Sequence, residues 1–234
     1  MSSQLRPTPS PQPLERSSLR LLVTGGTGVL GRALRPFAED AGHELAMPAR
    51  EELDLFDPAA LAEAVREVDA VLHLATRIRP IEQLSDLEAW RENDRLRTDA
   101  SRILVDAAIR AGVEVYVQPT VTFVYASKGP VSEETPVGEI SPLLQSALAA
   151  EEQAERFAGA GGRGIVLRFG LLDGPGTGEY PPLAALGATL HVADAGRALV
   201  SALSLPSGVY NVCRDGERVS NERFTRAAGW HPEL

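Results

Sequence analysis

The sequence contains very little of several features, and each scarcity excludes a class of protein. One cysteine, Cys213, stands among 234 residues, so no internal disulfide can form and nothing demands an oxidising compartment. No apolar run approaches the roughly 20 residues that span a bilayer. The net charge of −9 argues against nucleic acid, because phosphate binding needs clustered Lys and Arg. We therefore expect a cytoplasmic protein with neither a membrane nor a nucleic-acid partner.

The first residues have a composition unlike the rest. Residues 1–18 are rich in proline and serine and lack the apolar core of a signal peptide. A segment of this kind cannot bury enough apolar surface to offset its conformational entropy. It predicts a disordered leader that ends at Ser18.

After the leader, apolar segments typical of strands alternate with amphipathic segments typical of helices. Strands are predicted at 19–24, 43–47, 69–75, 113–118, 164–170 and 208–212. Helices are predicted at 29–42, 57–68, within 85–111, and at 141–162, 194–205 and 220–230. This alternation predicts an α/β fold, a Rossmann-type doubly wound parallel sheet with helices on both faces. Residues 170–186 are the one long irregular stretch expected inside the domain.

A glycine-rich turn follows the first strand directly. Gly25, Gly28 and Gly31 have the spacing G-x-x-G-x-x-G, and Gly26, Gly28 and Gly31 also satisfy G-x-G-x-x-G. Between a strand and a helix, such glycines allow a sharp turn, a close approach of backbone to a pyrophosphate, and tight packing of the helix on the strand. The turn predicts a dinucleotide site that comprises Gly25, Thr27, Gly28, Val29, Leu30 and Gly31.

The residues at the end of the second strand indicate which dinucleotide the site binds. An acid about 20 residues beyond the first glycine often binds the ribose hydroxyls. That position falls near Met47, where there is no acid, and Arg50 follows. An arginine there can meet a 2′-phosphate, which favours NADP(H), with NAD(H) left open. The alternative is a solvated Arg50 beside Glu51 and Glu52.

Several motifs together resemble the extended short-chain dehydrogenase/reductases, a group that includes the NAD-dependent epimerases and dehydratases. They are TGGTGVLG at 24–31, LDL at 53–55, VLHLAT at 71–76, VLRFGLLDGPGTG at 166–178, HVADAGRALVSAL at 191–203 and the closing segment 220–234. The resemblance covers about residues 20–234. It implies that Asp54 and Leu55 lie against the adenine and that Leu74, Ala75 and Thr76 follow the centre of the cofactor. It also implies that residues 174–176 lie near the substrate cleft.

The sequence departs from this family where proton transfer is expected. The family uses a Tyr-x-x-x-Lys pair on one helix, in which lysine lowers the pKa of the tyrosine. Alignment of residues 141–152 on that helix places Leu143 at the tyrosine and Ala147 at the lysine. Neither residue can transfer a proton, and the one lysine of the chain, Lys128, lies in a predicted loop.

The strand that normally carries a catalytic Ser or Thr is also altered. The usual position falls on Val121, which leaves Thr120, Thr122 and Tyr125 as the candidate catalytic residues. The four histidines lie far apart in the sequence and have no metal-ligand spacing, so no metal is expected. Only a dozen residues separate Gly178 from His191, where the family carries a longer substrate-binding insertion. We therefore expect a dinucleotide-binding domain at 19–170 and a small, shortened C-terminal lobe at 171–234, packed on the same domain.

These features support two hypotheses of function. The first is an atypical NAD(P)-dependent enzyme that acts on a small-molecule substrate, by non-standard reduction or by a redox-neutral step; fold-level analogy connects it with secondary metabolism. The second is a catalytically inactive NADP(H)-binding sensor that reports to a partner. In the resembled family two long helices often pair across a two-fold axis, and the apolar residues of 141–160 predict a homodimer here.

Overall fold

The computed structural model describes residues 18–83, 86–125, 129–138, 141–178, 188–214 and 218–234. Residues 1–17 of the predicted leader and Lys128 therefore lie outside the described residues. Within these ranges no helix combines the length and apolarity that crossing a membrane requires.

Eight strands form two sheets. Their bounds are β1 (Arg20–Thr24), β2 (Glu44–Ala46), β3 (Ala70–His73), β4 (Val115–Val121), β5 (Arg163–Phe169), β6 (Leu171–Asp173), β7 (Thr189–His191) and β8 (Gly208–Val212). The main sheet has the order β2-β1-β3-β4-β5-β8, and every pairing in it is parallel. The predicted doubly wound parallel sheet is thus confirmed, and β8 extends it from within the predicted C-terminal lobe.

The helices occupy the crossovers between strands. Their bounds are α1 (Val29–Asp40), α2 (Pro58–Ala64), α3 (Leu87–Arg95), α4 (Ser101–Ala111), α5 (Pro142–Gly159), α6 (Val192–Ala202) and α7 (Glu222–Ala228). The helix predicted within 85–111 is divided, because a π-helical turn at Leu96–Ala100 separates α3 from α4. Asp57 caps α2, with its carboxylate accepting from the backbone N–H of Ala59 at 2.8 Å.

The core lies in two layers, one on each face of the main sheet. Alternate strand residues point to opposite faces, so Leu72 packs with α1 and α6 while its neighbour Val71 packs with α2, α4 and α5. The α1–α6 contact is close because residue 196 is glycine. A Cβ there would lie 2.7 Å from the carbonyl carbon of Ala33. Both faces of the sheet are therefore sealed, and only its edges are open to a ligand.

The strand order locates the opening. From β1 the chain passes first to β2 on one side and then to β3 on the other, so the direction of winding reverses at β1. Ligands of doubly wound sheets bind outside the carboxyl ends of the strands at such a switch point. The glycine turn of residues 25–28 follows β1 at this edge.

The stretch 170–186, expected to be irregular, contains a short strand. Residues Leu171–Asp173 form β6, which pairs in parallel with β7 in a separate two-stranded sheet. The prediction missed it because three residues are too few to show an alternating pattern. Residues 179–187 of this stretch lie outside the described residues.

Candidate functional site

The glycines of the turn differ in what surrounds them. Gly25 has φ +73°, and a Cβ there would lie 2.6 Å from the backbone nitrogen of Ala75. A Cβ on Gly31 would lie 2.5 Å from Gly26 Cα. Gly28 has ordinary backbone angles, φ −73° and ψ 179°, and its Cβ would meet a single neighbour, the Gly25 carbonyl oxygen at 3.1 Å. Gly25 and Gly31 thus permit close contacts within the protein, whereas a Cβ at Gly28 would be crowded by a single backbone oxygen.

The first turn of α1 is suited to an anion. Gly28 is its N-cap, no described side chain caps it, and its first turn carries no acidic residue. The N–H groups at such a helix start attract negative charge. The Arg32 guanidinium is also here, donating to the carbonyl of Thr27. Gly176 approaches the same place, since its Cβ would lie 3.1 Å from Arg32 Nη2.

The residues expected along the cofactor occupy the same edge of the sheet. Leu74 is buried and its N–H donates to the carbonyl of Thr24 at 3.0 Å, while Ala75 is half-buried and Thr76 is exposed. Asp54 accepts from the backbone N–H of Phe56 at 2.9 Å, and Leu55 packs against the α2–α4 layer. Leu74 is therefore a core residue, and Leu55 is a half-buried residue packed against the core.

A buried histidine joins the ends of β1 and β3 to the π-helical turn between α3 and α4. His73 Nε2 lies 3.1 Å from the carbonyl oxygen of Leu96, and because a carbonyl only accepts, Nε2 carries the proton. His73 Nδ1 is then the acceptor for the Thr24 hydroxyl at 2.7 Å. Burial lowers the pKa of His73 to about 4, against the opposing effect of the bond to Leu96. The ring is thus neutral and fixes the ends of β1 and β3 beside the π-helical turn.

Arg50, the residue expected at a 2′-phosphate, is already paired. Its Nη2 lies 2.7 Å from Glu92 Oε1 on α3. Arg77 Nε lies 3.6 Å from the other oxygen of the same carboxylate. Arg50 and Arg77, which follow β2 and β3, therefore converge on one acidic side chain at the edge of the presumed cofactor site.

Thr120 belongs to a buried charged cluster. Its hydroxyl donates to Glu151 Oε1 at 2.7 Å, and Arg168 donates to both oxygens of that carboxylate, at 2.9 Å from Nε and 2.6 Å from Nη2. Although burial acts to lower it, the pKa of Arg168 is raised by its hydrogen bonds and charge interaction with Glu151. The cluster joins β4, β5 and α5 under the carboxyl edge of the sheet.

Tyr125 is held by the same cluster. Arg168 Nη1 donates to its hydroxyl oxygen at 2.8 Å, and the hydroxyl donates to Asn211 Oδ1 at 2.9 Å. Burial raises the pKa of Tyr125, and the nearby Arg168 opposes this shift only in part. Burial also raises the pKa of Glu133, which accepts from the backbone N–H of Asn211 at 2.7 Å. The Tyr125 hydroxyl therefore already donates one hydrogen bond and accepts another.

The chain is similar in sequence to several known proteins. Residues 21–189 match the model of the NAD dependent epimerase/dehydratase family. The chain belongs to this family. A 3-diazoavenalumate denitrifying reductase from Streptomyces sp is 33% identical over 81% of this chain and 65% of its own length. A UDP-glucose 4-epimerase from Azospirillum brasilense is 31% identical over 72% of this chain and 54% of its own. The chain thus spans about half to two thirds of the length of these relatives.

A solved structure extends the comparison to the fold. The structure of RMD from Pseudomonas aeruginosa complexed with NADPH superposes with a TM-score of 0.76 at 24% identity. The match covers 92% of this chain and 94% of that chain. The two chains thus share their fold over most of their lengths.

The helix expected to carry the family's acid–base pair is α5. Ala147 is fully buried in it, and Leu143 lies one turn earlier, with its side chain outside the described part. Glu151 stands one turn after Ala147. Among the described residues, the Thr122 hydroxyl is buried without a hydrogen-bond partner. No group of three metal-binding side chains occurs in the described part of the chain.

Sequence reasoning missed Glu151, Arg168 and Arg32. A signal for the first two was present, because Arg168 is a charge inside an otherwise apolar strand sequence, GIVLRFG. A buried arginine needs a counter-charge, and Glu151 supplies it. Arg32 could have been identified by its place in the first turn of the helix that the glycines open.

Proposed function

We propose that this family member binds a nicotinamide dinucleotide, NADP(H) in preference to NAD(H), with the pyrophosphate over Gly28. The lack of a side chain at Gly28, the uncapped start of α1 and the Arg32 guanidinium support this placement. Asp54 and Leu55 would contact the adenine, and Leu74, Ala75 and Thr76 would follow the central part. These residues fit the group because the glycine turn, β3 and α1 meet at one edge.

We further propose that the chain is a reductase whose substrate needs no proton from the protein. A reduced nicotinamide, when bound, supplies a hydride. An organic diazonium ion is a suitable acceptor: hydride replaces its C–N bond by a C–H bond, and the nitrogen leaves as N₂. This reaction balances in atoms and charge without a proton. The relative named as a diazo-compound denitrifying reductase supports the substrate class.

One observation carries this proposal: in the sequence of α5, apolar residues stand at the positions aligned with the family's tyrosine and lysine. Leu143 aligns with the tyrosine, and Ala147, which is fully buried, aligns with the lysine. The hydroxyls of Thr120 and Tyr125 are engaged with Glu151 and with the Arg168–Asn211 pair. Their roles are to keep the carboxyl edge of β4 and β5 in place. The Thr122 hydroxyl, buried without a partner among the described residues, remains to hydrogen-bond a substrate.

The test uses cofactor labelled with deuterium at the transferred position. Purified protein, labelled NADPH and an aryl diazonium salt should give the arene with one deuterium, with one N₂ released per NADPH oxidised. Diazonium salts also react without enzyme, so the rate is compared with protein-free buffer and with Gly28→Val. Reduction of ketones and aldehydes, but not of the diazonium salt, would refute the substrate class. NADPH binding with no turnover of either class would favour the sensor.

We also propose that the chain forms a homodimer through α5. Two of its apolar residues, Ala154 and Phe157, lie in the core of one chain, but Leu144 and Leu148 are half-buried. A second copy covering these two would need to bury about 800 Å² per partner. Light scattering at micromolar concentration should give twice the mass of one chain; the mass of a single chain would contradict it.

A further inference from the structure

Two arginines from different strand ends share one carboxylate. Arg50 follows β2, Arg77 follows β3, and both reach Glu92 on α3, at 2.7 Å and 3.6 Å. The side chains of the arginines are 73% and 50% exposed, whereas that of Glu92 is 34% exposed. The cluster thus carries two positive charges against one negative charge, with its cationic side open to solvent.

The cluster lies where the adenosine half of a dinucleotide belongs. In a doubly wound fold the ribose hydroxyls meet residues at the end of the second strand, beside the glycine turn. Met47, three residues before Arg50, packs against Gly26, since a Cβ on this glycine would lie 2.7 Å from Met47 Cβ. Ala75, two residues before Arg77, packs against Gly25. Both arginines therefore start from segments that contact the turn, one on each side of β1.

The Glu92 carboxylate occupies the position, between the two arginines, that we assign to an anionic group of the cofactor. Exposed ion pairs are weak, so this carboxylate is replaceable. A phosphate monoester carries more negative charge than a carboxylate and offers three acceptor oxygens to guanidinium groups. It competes for both arginines, whereas a ribose hydroxyl does not.

We infer that Arg50 and Arg77 receive the 2′-phosphate of NADP(H), and that Glu92 pairs with both arginines while the cofactor is absent. Glu92 thereby determines how strongly NADP(H) is preferred over NAD(H). This inference rests on the proposed cofactor site. NADP(H) must displace Glu92 from Arg50 and Arg77 when it binds, and NAD(H) leaves the three side chains together. Removing the carboxylate therefore strengthens binding of the 2′-phosphorylated nucleotide alone.

The test measures binding of two probes that lack nicotinamide, adenosine 2′,5′-bisphosphate and adenosine 5′-monophosphate, by calorimetry at low salt. Glu92→Gln should bind the bisphosphate about three- to tenfold more tightly, as expected for loss of two exposed ion pairs. Its affinity for the monophosphate should not change. Arg50→Ala and Arg77→Ala should each lose most of the preference for the bisphosphate.

A matched control is available on the same helix. Glu88 lies one turn before Glu92 and pairs with Arg91 at 2.9 Å. Glu88→Gln should leave both affinities unchanged, and circular dichroism should show that all these exposed variants fold.

Two outcomes would overturn the inference. Glu92→Gln could leave the ratio of the two affinities as it is in the wild type, or the control Glu88→Gln could change that ratio equally. Failure of the proposed cofactor site is recognisable separately, because then neither probe nor NADPH would bind to the wild-type protein.

Discussion

Replacing Gly28 by valine should weaken cofactor binding while the protein stays folded. The backbone at Gly28, φ −73° and ψ 179°, is accessible to any residue. Its Cβ would meet only the Gly25 carbonyl oxygen, at 3.1 Å. The valine methyl groups would then project into the space assigned to the pyrophosphate. Overpacking of this kind costs about 1–3 kcal/mol, which corresponds to about a 5- to 150-fold loss of affinity.

The assay is a calorimetric titration with NADPH, accompanied by thermal unfolding. Gly159→Val is a suitable control, because Gly159 lies at the end of α5 with nothing within 4 Å of its Cβ. Gly31→Val provides the contrast: its Cβ would lie 2.5 Å from Gly26 Cα, so the fold itself should be damaged. Unchanged NADPH affinity in a folded Gly28→Val protein would refute the placement of the pyrophosphate.

Three further predictions concern buried groups. Because burial lowers the pKa of His73 to about 4 from 6.5, only the unfolded chain takes up this proton between those values. The free energy of unfolding should therefore fall by up to about 3 kcal/mol as pH drops from 6.5 to 4. In urea titrations, the free energy of unfolding of His73→Gln should lack this dependence on pH. Glu151→Gln should destabilise by about 3–5 kcal/mol by removing the counter-charge of Arg168, whereas the exposed Glu152→Gln should have little effect in the same titrations. Tyr125→Phe should retain the reductase rate within about threefold, and a loss of at least about a hundredfold in kcat would show that this tyrosine is the missing acid.

The parts of the fold that depend on local sequence were predictable. The glycine turn, its strand and its helix lie within 21 consecutive positions, 20–40, and each signal agrees with the next. Alternation of strands and helices likewise predicted the parallel sheet. The division of the helix within 85–111 was not predictable from periodicity, because it coincides with a hydrogen bond from His73 to Leu96, 23 residues apart.

The candidate site, too, could be predicted only where it depends on local sequence. Its backbone elements, the turn and the start of α1, follow from spacing. Its charged pairs do not: Glu151 meets Arg168 across 17 positions and Arg50 meets Glu92 across 42. Such pairs form only when the sheet brings distant segments together, so Arg50 could be placed at the right edge without its partner being known.

The central claim is that a nicotinamide dinucleotide lies over Gly28 and that no proton-donating side chain faces its reactive ring. A crystal structure of the protein with NADPH tests both parts at once. The account predicts phosphate oxygens on the N–H groups at the start of α1, and the nicotinamide ring at the carboxyl edge of the sheet. It also predicts no tyrosine hydroxyl, lysine or carboxylic acid within hydrogen-bonding distance of the substrate side of the ring. Phosphates bound elsewhere, or Tyr125 released from Arg168 and Asn211 to face the nicotinamide, would contradict it.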